Sequence, residues 1–505
     1  MLQSFQGKFS MNKYRDAVFS GSTGKGLLNN ALFLPFITTF ICSVFIYWFE
    51  LSNFTLSIDE EFTDNFCQTL MMNRWFHAIL RRWIFPEPFT PFASLFLGII
   101  FLSFASSFMC KSLNINKESS IVFSLLMASI PQFAYQAEFS NQVDTVALSV
   151  LLASISFCVF TLNQCRVFSL SSLYGVILLT LSTSIYQSSH FITYPLTIAA
   201  CAINLSNGDG RKSFKPLYFS VISIAAVTLY YVSAKLAQKT FGVGDYKYFS
   251  QLLAWGKTST TETISNISSS VSSYFTADSY FGLSAYSLIP ISFIMPFFLK
   301  GRTFNVRAGV AILVFLCALS PMLMILVMGT NQPARVMMSL PVAFACAFTL
   351  IYHFNLFKKT ILIAACILVL ISCVNVSKLF YSDKMAREAD NSFYNDVIST
   401  VRLKNPSFSP YRNKIYFYGP YNVHNNWKLQ NADVFGNSFF FWDGASNRRI
   451  LAMLKTSNIA DFIPLSENEE KKAKQIGKDL KNWPSVDSVG TFDNVVVVRL
   501  GDPWF

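Results

Sequence analysis

The chain is dominated by a succession of apolar runs, each about 20 residues long, the length an α-helix needs to cross the hydrocarbon core of a bilayer. Roughly eleven such runs lie near 30–49, 89–110, 119–136, 144–163, 168–185, 189–205, 216–236, 281–299, 308–328, 336–354 and 359–376. The run at 281–299 is interrupted by Pro290 and Pro296 and is the least regular. An odd number of spans places the two termini on opposite sides. Composition agrees, since only 13% of the residues are charged, against roughly 25% in a soluble protein. The fold class expected is therefore a polytopic α-helical membrane protein.

The formal charge of +12 does not point to nucleic acid, because the cations are scattered between apolar runs rather than gathered into one patch. They follow the positive-inside pattern. Lys8, Lys13, Arg15 and Lys25, then Lys111 and Lys117, Arg166, Arg211, Lys212 and Lys215, Lys300, Arg302 and Arg307, and Lys358 and Lys359 fall on one side, which should be cytoplasmic. The opposite short loops near 137–143 and 185–190 carry no Lys or Arg. Met1 to Asn30 is polar and basic, so no cleavable signal peptide is expected and Ala31 to Trp48 reads as a permanent first helix. The N-terminus is then inside. The loop 50–88, the loop near 237–280 and the tail from about 377 are outside.

That tail, 377–505, has a different composition: charges return, apolar runs shorten, and turns such as Asn405-Pro406 and Gly419-Pro420 appear. Asp390 to Leu403 and Asn447 to Lys455 read as helices, and Lys414 to Tyr418 and Val495 to Arg499 as strands, giving a small α/β domain. Thr258 to Ser273 is Ser/Thr-rich and reads as a mobile loop. The ten cysteines mostly lie inside apolar runs and include no CxxC pair, so neither a disulfide framework nor a zinc site is expected.

Three consecutive acids, Asp59, Glu60 and Glu61, stand just outside the first span in a region that otherwise avoids charge. Beyond them Met72, Trp75, Phe76, Ile79, Leu80 and Trp83 recur at helical spacing and form the apolar face of a helix lying in the membrane interface. Arg74, His77 and Arg81 line its other side, and Pro86 and Pro88 end it. Transfer of a sugar from a lipid phosphate to a hydroxyl needs a carboxylate to take the proton and cations to stabilise the departing phosphate, both held at headgroup depth. These residues meet that description. The same acids also read as a solvated loop cluster, and three adjacent carboxylates cannot all point one way.

An acidic pair after the first span, followed by an interfacial helix with Asn73-Arg74-Trp75, resembles the GT-C class of polyprenyl-phosphate-sugar glycosyltransferases. Within that class the layout is most similar to the phage-encoded serotype-converting O-antigen glucosyltransferases. The resemblance implies a GT-C-like transmembrane domain over 1–376 with its catalytic outer loop at 50–88, and a periplasmic domain over 377–505, in the inner membrane of a bacterium. It implies transfer of glucose from undecaprenyl-phosphate-glucose to O-antigen sugars of lipopolysaccharide, with inversion. Membrane lipids and the enzymes that make and flip the donor would be its partners. The family's acidic pair maps onto Asp59 and Glu60, with Asp59 the first choice for the base and Glu61 an extra acid. No cofactor is obligatory, and a divalent metal is left open.

Further candidates lie in the other outer loops. Glu138 and Asp144 are supporting acids, read equally as helix-end charges, with Asn141 and Gln142 between them. Tyr186, Gln187 and His190 would face the same cavity with hydrogen-bonding groups, although a lone His is often a packing residue. Arg335 is the cation of the loop that also holds Asn331 and Gln332, and is a candidate for the lipid phosphate or a snorkelling anchor. Trp255, Tyr246, Tyr248 and Tyr274 are candidates for stacking on sugar rings, as are Tyr418, Trp427 and Trp442 in the tail. The rival readings are a lipid-linked sugar flippase or other transporter, and an O-antigen polymerase or ligase. Coupled carriers usually place ionisable residues within spans and often show internal repeats; the middles of these spans hold almost no ionisable residues, and no internal repeat is found.

Overall fold

The computed structural model describes residues 30–85, 90–163, 166–207, 215–244 and 253–504. The cations Lys8, Lys13, Arg15, Lys25, Arg211 and Lys212, the prolines Pro86 and Pro88, and Tyr246 and Tyr248 lie outside the described residues. Helix occupies every one of the predicted apolar segments. After α1 (Asn30–Ile46) and the short α2 (Trp48–Ser52), the first outer loop holds α3 (Phe66–Met71) and α4 (Trp75–Trp83). Then follow α5 (Pro91–Leu113), α6 (Lys117–Ser129), a single turn α7 (Ala134–Ala137), α8 (Val143–Leu162), α9 (Leu170–Ile185), α10 (Thr193–Asn207) and α11 (Pro216–Phe241). The second half holds α12 (Thr260–Phe275), α13 (Ile289–Ile294), α14 (Phe304–Leu319), α15 (Leu323–Met328), α16 (Leu340–His353) and α17 (Lys358–Lys404).

Among the described residues, five helical stretches are long and apolar enough to cross a membrane: Pro91–Leu113, Val143–Leu162, Pro216–Phe241, Phe304–Met328 and Lys358–Lys404. Around α13 the chain is broken into 3-10 turns on both sides, where Pro290 and Pro296 remove backbone donors. The helices pack through small residues. A Cβ on Gly98 of α5 would stand 3.3 Å from Val143 at the start of α8. Ser156 of α8 donates to the carbonyl of Gly175 on α9 at 2.7 Å, and Ser182 of α9 returns a bond of the same length to the carbonyl of Ser149. Close backbone approach and hydroxyl bonds of this kind hold helices together where lipid removes the hydrophobic driving force.

α17 is one unbroken helix of 47 residues, where the sequence suggested a span and a separate tail helix. At 1.5 Å per residue it is roughly 70 Å long, so it runs from the membrane helices into the tail. Its first half exposes Ile363, Ile367, Leu370 and Val374, one apolar stripe suited to lipid, and buries Ile361, Ala365, Val369 and Val376. Its last turns bury Phe393, Val397, Ile398 and Val401 in the core of the tail. No Pro or Gly separates the two halves, which is why helical period continues across the change of composition.

The tail adds α18 (Asn447–Thr456), α19 (Glu467–Asp479) and three strands, β1 (Lys414–Tyr418), β2 (Val489–Phe492) and β3 (Val495–Arg499), in the order β1-β3-β2. β1 and β3 are parallel, and β2 and β3 antiparallel. α19 lies against β1 at Gly477, where a Cβ would come within 2.6 Å of the Tyr418 ring.

The segment read as a Ser/Thr-rich mobile loop is instead the helix α12. Ser259 caps it by accepting from the Glu262 amide, and Thr263, Ile267, Ser270 and Tyr274 form its buried face. Small hydroxyl residues hid a helical period that burial makes plain.

α4 turns its polar side to the protein. His77 and Arg81 are buried while Trp83 is exposed. Both Arg81 and Asp144 are almost fully buried and form a two-pronged pair, with the Nη1 to Oδ2 bond at 3.3 Å. This pair pins α4 to the start of α8. Asp144→Asn leaves a buried guanidinium without its counter-charge, expected to cost about 3–5 kcal/mol. A lowered thermal midpoint in detergent would register it. The double variant Arg81→Met/Asp144→Leu should recover most of the loss, and a double variant no better than the single one would contradict a structural role for the pair.

Candidate active site

The loop that follows α2 buries Thr55, Leu56, Ser57 and Ile58 and then turns sharply. The Glu60 amide donates to the Ser57 carbonyl at 3.2 Å, and Asp59 takes φ 78°, a left-handed conformation that Asp and Asn tolerate better than most residues. The turn sends the three acids three ways. The Asp59 side chain is 45% exposed and lines a cavity, whereas Glu60 and Glu61 are buried.

Glu60 points into the protein, accepting from the Ser57 amide at 2.8 Å and from the Ser140 amide. Burial pushes its carboxyl up to about 8, and the two amide bonds only partly oppose this. Ser57 donates its hydroxyl to Glu138 at 2.9 Å, and Asn141 donates to the Asp59 carbonyl at 3.1 Å. The first outer loop is thus stapled to the loop between α7 and α8. Glu138 is itself buried and held well above the ordinary carboxylate range by that burial, with Asp383 and Asp433 adding to the shift.

The cavity has a volume of about 410 Å³. Asp59, Arg74, His77, Asn141, Gln142, Tyr186 and Arg335 line it, together with Trp442, Asp443 and Arg449 from the tail. Asn141, Gln142, Tyr186 and Arg335 sit in connections at one end of the helix stack, and the Lys and Arg clusters near 111–117 and 300–307 sit at the other. Arg74 donates through Nε to Gln187 at 3.2 Å and lies 4.5 Å over the Tyr186 ring. Arg335 donates to Asp433 at 2.9 Å and lies 5.2 Å over Phe139. Both guanidinium groups are therefore aimed by fixed partners.

His77 is buried, and burial with Arg81 and Arg74 nearby lowers its pKa well below the usual histidine value, so it is neutral. Its Nδ1 is 2.9 Å from the Thr145 hydroxyl, which spends its own proton on the Gln142 carbonyl. With the Thr145 proton on that carbonyl, the tautomer that fits carries its hydrogen on Nδ1 and leaves Nε2 as a lone-pair acceptor. That suits a sugar hydroxyl better than a phosphate oxygen.

Arg449 was not foreseen. Its Nη2 reaches Asp59 at 2.7 Å, its Nη1 reaches Glu61 at 2.7 Å, and its Nε reaches Asp443 at 2.8 Å. The residues are 390 and 388 positions apart from Asp59 and Glu61, and no local pattern announces such a pairing. The only hint was its place in the first turn of a predicted tail helix.

Other candidates lie away from the cavity lining. Arg81 and Asp144 satisfy each other, and Gln187 supports Arg74 while donating to the Met72 carbonyl at 2.9 Å. His190 is a packed core residue between Ser223, at 2.6 Å, and Thr183, at 3.3 Å. Asn331 accepts from the Gln332 amide at 3.0 Å, and Gln332 turns back onto the carbonyls of Thr330 and Asn331. Trp255 donates to the Leu326 carbonyl at 2.9 Å, Tyr274 is buried against Tyr286, and Trp427 packs on Tyr381. Among the described residues no group of three His, Cys, Asp or Glu side chains is placed to hold a metal ion.

Glu60 gives the site a pH signature. The folded chain keeps a proton that the unfolded chain releases near its ordinary value of 4.5, so the carboxyl's contribution to stability falls as pH rises from about 4.5 to about 8. Glu60→Gln, which has one acceptor oxygen fewer, should start less stable and then gain on the wild type between pH 5 and 8, by up to about 1.4 kcal/mol per pH unit. Thermal midpoints across that range would test it, and a constant gap would contradict it.

Residues 48–377 match the family model described as Glucosyl transferase GtrII. No curated protein and no solved structure matches the chain. The family match spans well over half of the chain, and takes in the acid loop, the interfacial helix, Tyr186 and Arg335. A chain with long apolar helices, a cavity walled by a carboxylate and guanidinium groups, and this match is a membrane-type transferase: it belongs to the GtrII glucosyl transferase family.

Proposed function

We propose that the protein transfers glucose from undecaprenyl-phosphate-glucose to a hydroxyl of an O-antigen sugar, with inversion, on the periplasmic face of a bacterial inner membrane. The observation that carries this reading is the presence of Asp59 in one cavity with Arg74 and Arg335. A carboxylate suited to taking a proton and cations suited to a leaving phosphate face the same space, at the end of the helix stack opposite the basic loops. The tail would then stand in the periplasm.

In this reading the acceptor hydroxyl gives its proton to Asp59 as its oxygen bonds to the anomeric carbon from the side away from the phosphate. The bond between that carbon and the phosphate oxygen breaks, and the polyprenyl phosphate leaves with the electron pair. Arg74 and Arg335 stabilise the charge gathering on the phosphate, and because Gln187 and Asp433 hold them in place little reorganisation is needed. His77 accepts from a sugar hydroxyl, and Glu60, Glu61 and Glu138 hold the loop that aims Asp59. Asp443 also lines the cavity and shares the Arg449 guanidinium with Asp59, and one carboxylate acting as base suffices for inversion in one displacement.

Asp59→Asn keeps the backbone conformation that φ 78° requires, since Asn tolerates it. The variant should insert and fold normally and lose about 10²–10⁴-fold in transfer rate. The assay supplies donor lipid and an O-antigen acceptor to purified protein and reads added hexose on the polysaccharide. A folded Asp59→Asn protein with the wild-type rate would remove the assignment of the base, and no added hexose with the wild type on any acceptor would remove the function.

A further inference from the structure

A second, larger concavity of about 970 Å³ opens in the tail. Its floor is the end of β1, and its walls come from α18 and α19. Phe62 and Asp443 line both this groove and the reaction cavity, so the two spaces adjoin across them. Arg448 lies 4.8 Å over the Phe62 ring at that junction. Apart from Phe62, every lining residue belongs to the tail, and none comes from the apolar helices.

We infer that this groove holds a stretch of the acceptor polysaccharide beyond the sugar being modified. The inference rests on the function proposed above. The groove lies wholly in the water-exposed part of the molecule, where a lipid tail has no apolar helix to lie against and a soluble polymer has room to extend. A volume near the upper end of ordinary ligand sites suits a chain of several sugar rings rather than one.

The lining chemistry argues for a neutral, hydroxyl-rich occupant. Most of its charges are already paired: Lys455 with Asp461 at 3.1 Å, Lys474 with Glu470 at 2.8 Å, and Asp443 with Arg449 at 2.8 Å. Paired charges offer donors and acceptors without the one-signed field that gathers phosphates or nucleic acid. The aromatic Phe62 at the junction adds an apolar face of the kind on which the CH side of a sugar ring packs. The reaction cavity then positions one hydroxyl, and the groove selects the chain that carries it.

The test uses the full-length protein in nanodiscs, titrated with long-chain O-polysaccharides of several defined serotypes, released from lipid A, and with their one-repeat fragments. At least one polymer should bind about tenfold more tightly than its own fragment. Ala452→Trp on α18 and Lys474→Trp on α19 each put an indole into the groove from a different wall. Each should abolish the advantage of the polymer and leave fragment binding unchanged. A wild-type protein that binds no polymer better than its fragment would overturn the groove, as would two folded variants that both keep the advantage. Length-dependent binding that both variants lose, together with no glucose transfer by the wild type, would leave the groove standing and overturn the proposed reaction.

Discussion

One guanidinium joins the two halves of this molecule. Arg449, on the first turn of a tail helix, meets Asp59, Glu61 and Asp443 through three of its nitrogens, a geometry that the planar Arg fork offers and Lys does not. Glu61 is fully buried in this contact, so its charge depends on the fork for a partner. On the other side of the same loop, Glu60 and Ser57 bind the connection between α7 and α8. The acid loop is therefore clamped between the membrane helices and the tail, and the cavity that Asp59 faces has walls from both.

The interfacial helix reinforces the arrangement in a way ordinary amphipathicity does not suggest. A surface helix of a soluble protein turns its charges to water, but α4 turns His77 and Arg81 into the protein and leaves Trp83 exposed. At a membrane boundary the apolar side has lipid to meet, and the polar side is free to line a cavity. Arg81, read from sequence as a phosphate ligand, is held by Asp144, while Arg74 at the start of the helix reaches the cavity. Two cations seven residues apart thus serve different ends.

Much of the fold was legible because apolar runs of spanning length are the strongest signal a sequence carries, and five of the described helices are long and apolar enough to cross a membrane. The continuity of α17 was not, because a change of composition at about residue 377 looked like a boundary although helical period persisted through it. α12 was missed because Thr and Ser do not register as a buried face. Within the site, Asp59, Arg74, His77, Tyr186 and Arg335 were foreseeable as polar groups on the side that avoids charge, and all line the cavity. Which of three adjacent acids faces inward was not, since it depends on one left-handed residue in a turn. Arg449 was beyond reach, since its partners are nearly four hundred positions away. Membership of a glucosyl transferase family sets aside the transporter reading that composition alone left open.

The central claim is that the tail completes the site through Arg449, and the transfer rate of Arg449 variants tests it most directly. With protein level and membrane insertion matched to wild type, Arg449→Ala leaves the carboxylates of Asp59, Glu61 and Asp443 without their shared counter-charge. Transfer should fall by about 10-fold to 100-fold, and Arg449→Lys, a single point charge, should restore only part of it. Wild-type transfer by Arg449→Ala would contradict the account, because the acid loop would then be held in working position without the fork, by the Thr456 hydroxyl on the Glu61 carbonyl and by Leu56 and Ile58 in the core of the tail.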